Sequence, residues 1–174
     1  MHSQGAASAW FVHHARLIAP AVRLLDVASG GGRHARFFAE NGARVTAVDR
    51  DAALLQSLAS ALTITTECRD IEVDAWPYAA ASFDAIIVCN YLWRPTFASL
   101  LATIAPGGVL LYETFMEGNE RYGKPSRPDF LLRSNELLTL TRDTFRVVAY
   151  EEGDVLDASG QPFAVKQKIA AIKR

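Results

Sequence analysis

Three acidic residues and a run of glycines are spaced like the parts of a nucleoside pocket. Asp26 lies four residues before Gly30, in the stretch Asp26-Val27-Ala28-Ser29-Gly30-Gly31-Gly32. The glycines stand between an apolar run and a helical pattern, where a backbone without side chains lets a ligand approach and permits positive φ. A helix starting near Arg33 aims its free N–H groups at the same place, which suits an anionic group. Asp49 closes the next apolar run, within the roughly 20-residue interval at which an acid meets a ribose diol. A carboxylate has two oxygens and can accept from both hydroxyls. Asp70 follows a third run, in Cys68-Arg69-Asp70-Ile71-Glu72, placed to accept an adenine amine. Each feature also has a plain structural use: a tight turn for the glycines, a helix cap for Asp49 and a solvated loop for Asp70.

The elements that position these residues read as an alternation of strands and helices. A helical segment at 6–18, ended by Pro20, precedes a buried strand at 22–28. A helix at 33–41, stopped by Gly42, leads to a strand at 44–49. Then come a helix at 51–61, a strand at 62–68, a loop at 75–82 and a strand at 83–89. A helix at 95–104 with Pro95 in its first turn, a turn at 106–108 and a fifth strand at 109–115 follow. Short apolar strands separated by helices indicate a parallel sheet covered on both faces. The pattern fails over 116–133, which is rich in glycine, proline and charge; a loop of that length is more often functional than incidental. Ser134 is expected to cap a short helix reaching about Arg142. Two last strands, 145–151 and 163–172, are joined by a polar link at 153–160 with no helical pattern, so they are expected to pair antiparallel.

Composition narrows the function. The chain has 174 residues, a size that fits one domain, and half of them are apolar. A net charge of −1 with interspersed signs is unlike the basic face of a nucleic-acid binder. Cys68 and Cys89 form neither a CxxC nor a metal spacing, so no metal is expected and both read as thiols of a reducing compartment. The N-terminus lacks the order of a signal peptide, and no apolar run approaches about 20 residues. A cytoplasmic, non-membrane protein is the expectation.

Taken together, the motifs resemble the class I S-adenosylmethionine-dependent methyltransferases over most of the chain. Asp26 to Gly32 is similar to their first motif, acid-x-Gly-x-Gly-x-Gly, with Ala28 in the place of its first glycine. Asp49 matches the family's ribose acid and Asp70 its adenine-side acid. Trp76-Pro77-Tyr78, Ser82-Phe83-Asp84 and Pro106-Gly107-Gly108 match the approaches to the fourth and fifth strands. Gly30 to Ala35 with Tyr112 to Phe115 look closest in tone to the small tellurite-resistance type. The resemblance implies an α/β, Rossmann-like, seven-stranded and mostly parallel sheet with helices on both faces and an antiparallel last strand. It implies a single domain over 1–174, with 1–20 as a helical cap and 116–133 as a possible lid.

The implied reaction is methyl transfer from S-adenosyl-L-methionine to a small-molecule acceptor, leaving S-adenosyl-L-homocysteine. It proceeds by in-line displacement, driven mainly by alignment and desolvation. The family has no fixed catalytic residue; Glu113, Tyr91 and His13 are weak candidates. The expected cofactor contacts are Asp26, Ala28, Ser29, Gly30, Gly31, Gly32, Asp49, Arg50, Asp70, Ile71, Asn90, Tyr91 and Leu92. Trp10, Arg33, His34, Trp93, Arg94, Tyr122 and Arg127 are candidates for the acceptor side. Acceptor atom and oligomeric state stay open. Two alternatives share these motifs. One is a module that binds the cofactor without catalysis. The other is an NAD(P)-dependent oxidoreductase, since Gly30-x-Gly32-x-x-Ala35 also fits the dinucleotide fingerprint, although no Tyr-x-x-x-Lys pair or separate substrate domain accompanies it.

Overall fold

The computed structural model describes residues 5–58 and 61–174. Seven strands form one sheet: β1 (Arg23–Val27), β2 (Arg44–Asp49), β3 (Ile64–Cys68), β4 (Phe83–Cys89), β5 (Ile104–Phe115), β6 (Phe145–Leu156) and β7 (Pro162–Lys173). Their order is β3-β2-β1-β4-β5-β7-β6. The pairs from β3 to β5 are parallel, while β7 runs antiparallel to both β5 and β6. Six strands therefore share one direction and β7 alone opposes it, the Rossmann-like arrangement expected from the sequence. The chain leaves β1 toward β2 and later returns past it to β4. This reversal opens a crevice at the carboxyl ends of β1 and β4.

Two-residue alternation along the strands builds two cores. Leu24, Ala47, Ile87 and Leu111 join Phe11, Phe38, Leu55 and Leu58 on one face. Leu25, Val48, Ile86 and Leu110 join Phe97, Leu100 and Leu137 on the other. Helices α1 (Ala9–His14), α2 (Arg33–Glu40) and α3 (Ala52–Gln56) supply the first set, and α4 (Phe97–Thr103) and α5 (Glu136–Thr141) the second. Among the described residues no helix is long and apolar enough to cross a membrane.

Several boundaries differ from the sequence expectation, each for a local reason. The helix expected at 6–18 begins at Ala9, because the Ser8 side chain accepts from the Trp10 N–H as its cap, and it tightens into a 3-10 turn at Ala15–Leu17. The helix expected at 51–61 is regular only over Ala52–Gln56, capped by Asp51; residues 59 and 60 lie outside the described residues. Pro95 sits in a 3-10 turn, Arg94–Thr96, ahead of α4. Strand β5 starts earlier than expected. Ile104 already pairs with Phe83, residues 105–108 loop out, and pairing resumes at Val109 opposite Ala85.

Ser134 does not cap α5. Asn135 holds that position at φ 59°, while the Ser134 hydroxyl (2.7 Å) and the Asn135 N–H (2.9 Å) both donate to the Glu152 carboxylate. Glu152 thus anchors the start of α5. The first half of the polar link expected at 153–160 is strand: β6 and β7 continue their ladder to Leu156 and Pro162, and only 157–161 turn. Strand β6 lies at the sheet edge with an exposed polar face, which hides its strand character from a reading of apolar alternation.

Candidate cofactor and acceptor site

The chain turns sharply at the end of β1. Ala28, Gly30 and Gly32 all take positive φ, at 54°, 54° and 71°. Gly32 is the N-cap of α2, and a Cβ on it would meet Leu58 Cδ1 at 2.4 Å, so this glycine serves the fold itself. Gly31 is different: its φ is not positive, and among the described residues a Cβ there meets nothing within 4 Å. It borders a cavity of about 520 Å³ that also touches Asp26, Ser29, Gly30, Arg33, His34 and Asn90. A smaller hollow of about 130 Å³, bordered by Asp70, Ile71 and Tyr91, shares Ala28, Asp49 and Arg50 with it. The two form one cleft over the ends of β1, β2 and β4.

Asp49 stands where the two halves meet. Its Oδ2 accepts from the Gly30 N–H (2.7 Å) and its Oδ1 from the Asp51 N–H (2.9 Å). The carboxylate locks the glycine turn and keeps a lone pair on each oxygen for a diol. Asp26 is 2% exposed, and among the described residues its Oδ2 has no hydrogen-bond partner. Burial, helped by the nearby Asp49 charge, pushes its carboxyl up to about 8 against the pull of the Ala35 backbone and of Arg33. A buried orphan oxygen of this kind fits a cationic group entering the cavity. Asp70 borders the smaller hollow, its Oδ1 accepting from the Glu72 N–H at 3.0 Å.

The remaining expected residues divide into those the fold gathers here and those it sends elsewhere. Arg33, His34, Arg50, Ile71, Asn90 and Tyr91 border the cleft. His34 accepts from the Ser8 N–H through Nε2 (3.1 Å), which puts the ring proton on Nδ1; burial lowers its pKa to about 4, so it is neutral. Burial and then the charge of Glu72 raise the Tyr91 phenol, which stays protonated. Leu92 is a core residue. Trp10 packs in the core and turns its indole N–H toward the Ile169 carbonyl of β7 (3.4 Å). His13 is exposed, edge-on to His14. The Trp93 carbonyl accepts the Thr96 hydroxyl at 3.2 Å. Arg94 forks onto Glu136 (2.7 and 2.9 Å) and reaches the carbonyls of Asp129 and Leu131.

Neither Tyr122 nor Arg127 borders the cleft. The Tyr122 hydroxyl reaches Asp154 of β6 at 3.5 Å, and Arg127 pairs with Asp129 at 3.1 Å over the Phe130 ring. The segment 116–133 is tied down by a bridge between Met116 and Leu132 and by the Asn119 side chain, which accepts from the Val165 N–H (3.0 Å).

Glu113 lies under the cleft in a fully paired state. Its Oε1 accepts from Lys166 Nζ (2.6 Å) and its Oε2 from the Ser8 hydroxyl. Burial works to raise its pKa, but the Lys166 charge and both hydrogen bonds outweigh it and hold the carboxyl below the usual range. Cys89, which borders the cavity, and Lys166 and Ser8, which each bond Glu113, were not singled out as site residues by the sequence. Cys89 has a signal, since it is the last residue of β4 beside Asn90. Lys166 has none nearby: it reaches Glu113 only because β7 pairs with β5 in a register that sets Lys166 opposite Phe115.

Residues 24–108 match the family described as a methyltransferase domain. No curated protein matches the chain. Among solved structures, TehB from Haemophilus influenzae is similar with a TM-score of 0.78 at 21% identity, over 97% of this chain and 63% of that one. The chain therefore spans less than two thirds of the length of TehB. An S-adenosylmethionine-dependent methyltransferase from Mesorhizobium loti is similar with a TM-score of 0.73 at 18% identity, over 96% of this chain and 99% of that one. Another from Methanosarcina mazei gives 0.71 at 14% identity, over 97% and 99%. At such identities the structures speak for the fold alone. The matched stretch holds the glycine turn and all three acids, so the similarity to a methyltransferase domain falls on the cleft itself, in a chain that shares its fold with S-adenosylmethionine-dependent methyltransferases of solved structure.

Proposed function

We propose that this protein is a cytoplasmic enzyme that moves a methyl group from S-adenosylmethionine to a small-molecule acceptor bound over the ends of β1 and β4. The observation that carries the reading is the buried, unpartnered Asp26 oxygen in the same cleft as the diol-ready Asp49. Asp26 receives the ammonium of the methionine half. Asp49 receives the ribose hydroxyls on the lone pairs its backbone bonds leave. Ile71 and Tyr91 flank the base, and Asp70 accepts its amine. Gly31 leaves room for the methionine half to lie against the turn.

S-adenosylmethionine supplies a methyl made electrophilic by its sulfonium. The chain's own work is to align the acceptor's lone pair with it and to exclude water. Glu113 has both oxygens occupied, and His34 has its acceptor nitrogen taken by Ser8. Neither is offered as a base, so the acceptor attacks with a lone pair it already carries.

Isothermal titration with S-adenosylhomocysteine tests this reading. Native protein binds, and Asp49→Ala loses about 1.5–3 kcal/mol of affinity, the value of a charge-assisted hydrogen bond. Unchanged affinity removes Asp49 from the site. Binding without turnover of S-adenosylmethionine in a small-molecule extract instead favours a cofactor-binding module.

A further inference from the structure

Lys166 is a charged residue in the middle of β7 whose side chain is only 10% exposed. An ammonium has three donors and no acceptor. One donor goes to Glu113 Oε1 (2.6 Å), one to Asn90 Oδ1 (2.7 Å), and the group stands 4.9 Å from the centre of the Phe115 ring. Because Lys166 can only donate, the Asn90 amide can meet it only through oxygen; the flipped amide would set NH2 against NH3+. The Asn90 backbone is held as well: it sits at φ 56° with its N–H donated to the Glu113 carbonyl (2.8 Å). The end of Asn90 left over is the NH2. Asn90 borders the cavity and is exposed, and among the described residues its NH2 has no partner.

A second donor borders the same cavity. The Arg33 guanidinium makes only long contacts, to the Ala6 carbonyl (3.4 Å) and Cys89 Sγ (3.5 Å). Among the described residues no carboxylate lies within ion-pair distance of it. The other cavity cation, Arg50, has Glu72 at 3.9 Å. The cleft thus carries an acidic wall, Asp26 and Asp49, and a corner that presents donors and an uncompensated positive charge. Planar N–H donors of this kind match the fork of a carboxylate.

We propose that Lys166 is a positioning residue that turns the Asn90 NH2 into the cavity, and that Asn90 with Arg33 receives a carboxylate on the methyl acceptor. This rests on the methyl-transfer reading above.

The test uses the full chain and three matched probe pairs: 3-mercaptopropionate and its amide, 4-hydroxybenzoate and its amide, anthranilate and its amide. Turnover is read as S-adenosylhomocysteine formed, and binding as thermal shift of the S-adenosylhomocysteine-loaded protein. At least one acid is expected to surpass its amide by about tenfold or more, the worth of a charge-assisted bond. Asn90→Asp keeps the side-chain shape and the Lys166 contact but puts an oxygen where the NH2 was. It is expected to raise KM for that acid about tenfold or more, with kcat far less changed, and to erase or reverse the preference over the amide. Lys166→Met has the same effect and Lys166→Arg recovers part of it, while S-adenosylhomocysteine affinity stays within about twofold in all three variants.

The proposal is overturned if the amides do as well as the acids throughout, or if no acid binds the loaded protein. It is also overturned if Asn90→Asp lowers S-adenosylhomocysteine affinity along with the acceptor's, because the corner then holds the cofactor's own carboxylate. Should native protein fail to bind S-adenosylhomocysteine at all, the methyl-transfer reading falls first. Asn90→Asp keeps the question open to an answer even if Lys166→Met, which leaves Glu113 buried and unpaired, does not fold.

Discussion

Ala28 holds the family's first glycine position at φ 54°, in the left-handed region where a Cβ crowds the following carbonyl. That conformation costs an alanine about 1–2 kcal/mol, partly offset by glycine's greater freedom in the unfolded chain. Ala28→Gly is therefore expected to stabilise the protein by up to about 1 kcal/mol in urea denaturation, with S-adenosylhomocysteine affinity little changed. A loss of stability would mean that the Ala28 methyl group does packing work that outweighs its strain. Gly32→Ala has the opposite sign. The added methyl group meets Leu58 Cδ1 at 2.4 Å and the backbone already sits at φ 71°, so strain and overpacking add. A loss of about 2 kcal/mol or more is expected, read as a fall in the urea midpoint. Two small residues in one turn are thus distinguished by what surrounds them, which their identities alone do not reveal.

Arg94 does at the scale of elements what the glycine turn does locally. It lies ahead of α4, forks onto Glu136 of α5 and holds two carbonyls of the 116–133 segment, so one side chain pins that segment to the sheet's second face. Arg94→Met strands those carbonyls and leaves Glu136 with backbone support alone, from the Arg133 N–H. After discounting for the third of the Arg94 side chain that faces water, about 2 kcal/mol of stability should go. Proteolysis within 116–133 should quicken while S-adenosylhomocysteine affinity holds; a matching fall in affinity would instead connect the segment to the cleft.

This wiring also marks where the sequence could be read. The strands β1 to β5, the glycine turn, Asp49 and Asp70 were legible because each depends on neighbours within about one β-α unit: an apolar run, its stop and the polar residue after it. The tether of 116–133, the reach of β6 to Leu156 and the Lys166–Glu113–Asn90 cluster were not. They depend on how β5, β6 and β7 register against one another across the sheet, and no local pattern encodes that register.

At the scale of the whole molecule, two buried groups in one cleft set how stability responds to pH. Burial carries Asp26 from its usual 3.8 up to about 8, so the folded state keeps a proton that the unfolded state has released, and stability falls as pH rises through that interval. Burial carries His34 from 6.5 down to about 4, so the folded state refuses a proton that the unfolded state takes, and stability falls as pH drops through that interval. Between pH 4 and 6.5 the two slopes oppose and largely cancel. Above 6.5 the unfolded His34 is neutral as well, and Asp26 acts alone. The protein without ligand should lose up to about 1.4 kcal/mol of stability per pH unit between 6.5 and 8, one proton's worth. Asp26→Asn should remove that slope, and urea titrations of both proteins at the two ends of the window give the comparison. Saturating S-adenosylhomocysteine should also flatten it, since an ammonium beside Asp26 draws the carboxyl into its ionised form. The same event releases a proton on binding near pH 7, visible as a binding heat that depends on the buffer's ionisation enthalpy. A native protein whose stability is level from 6.5 to 8 would mean that Asp26 is ionised without ligand, and the cleft would then hold a preformed charge instead of one that the cofactor's own cation brings out.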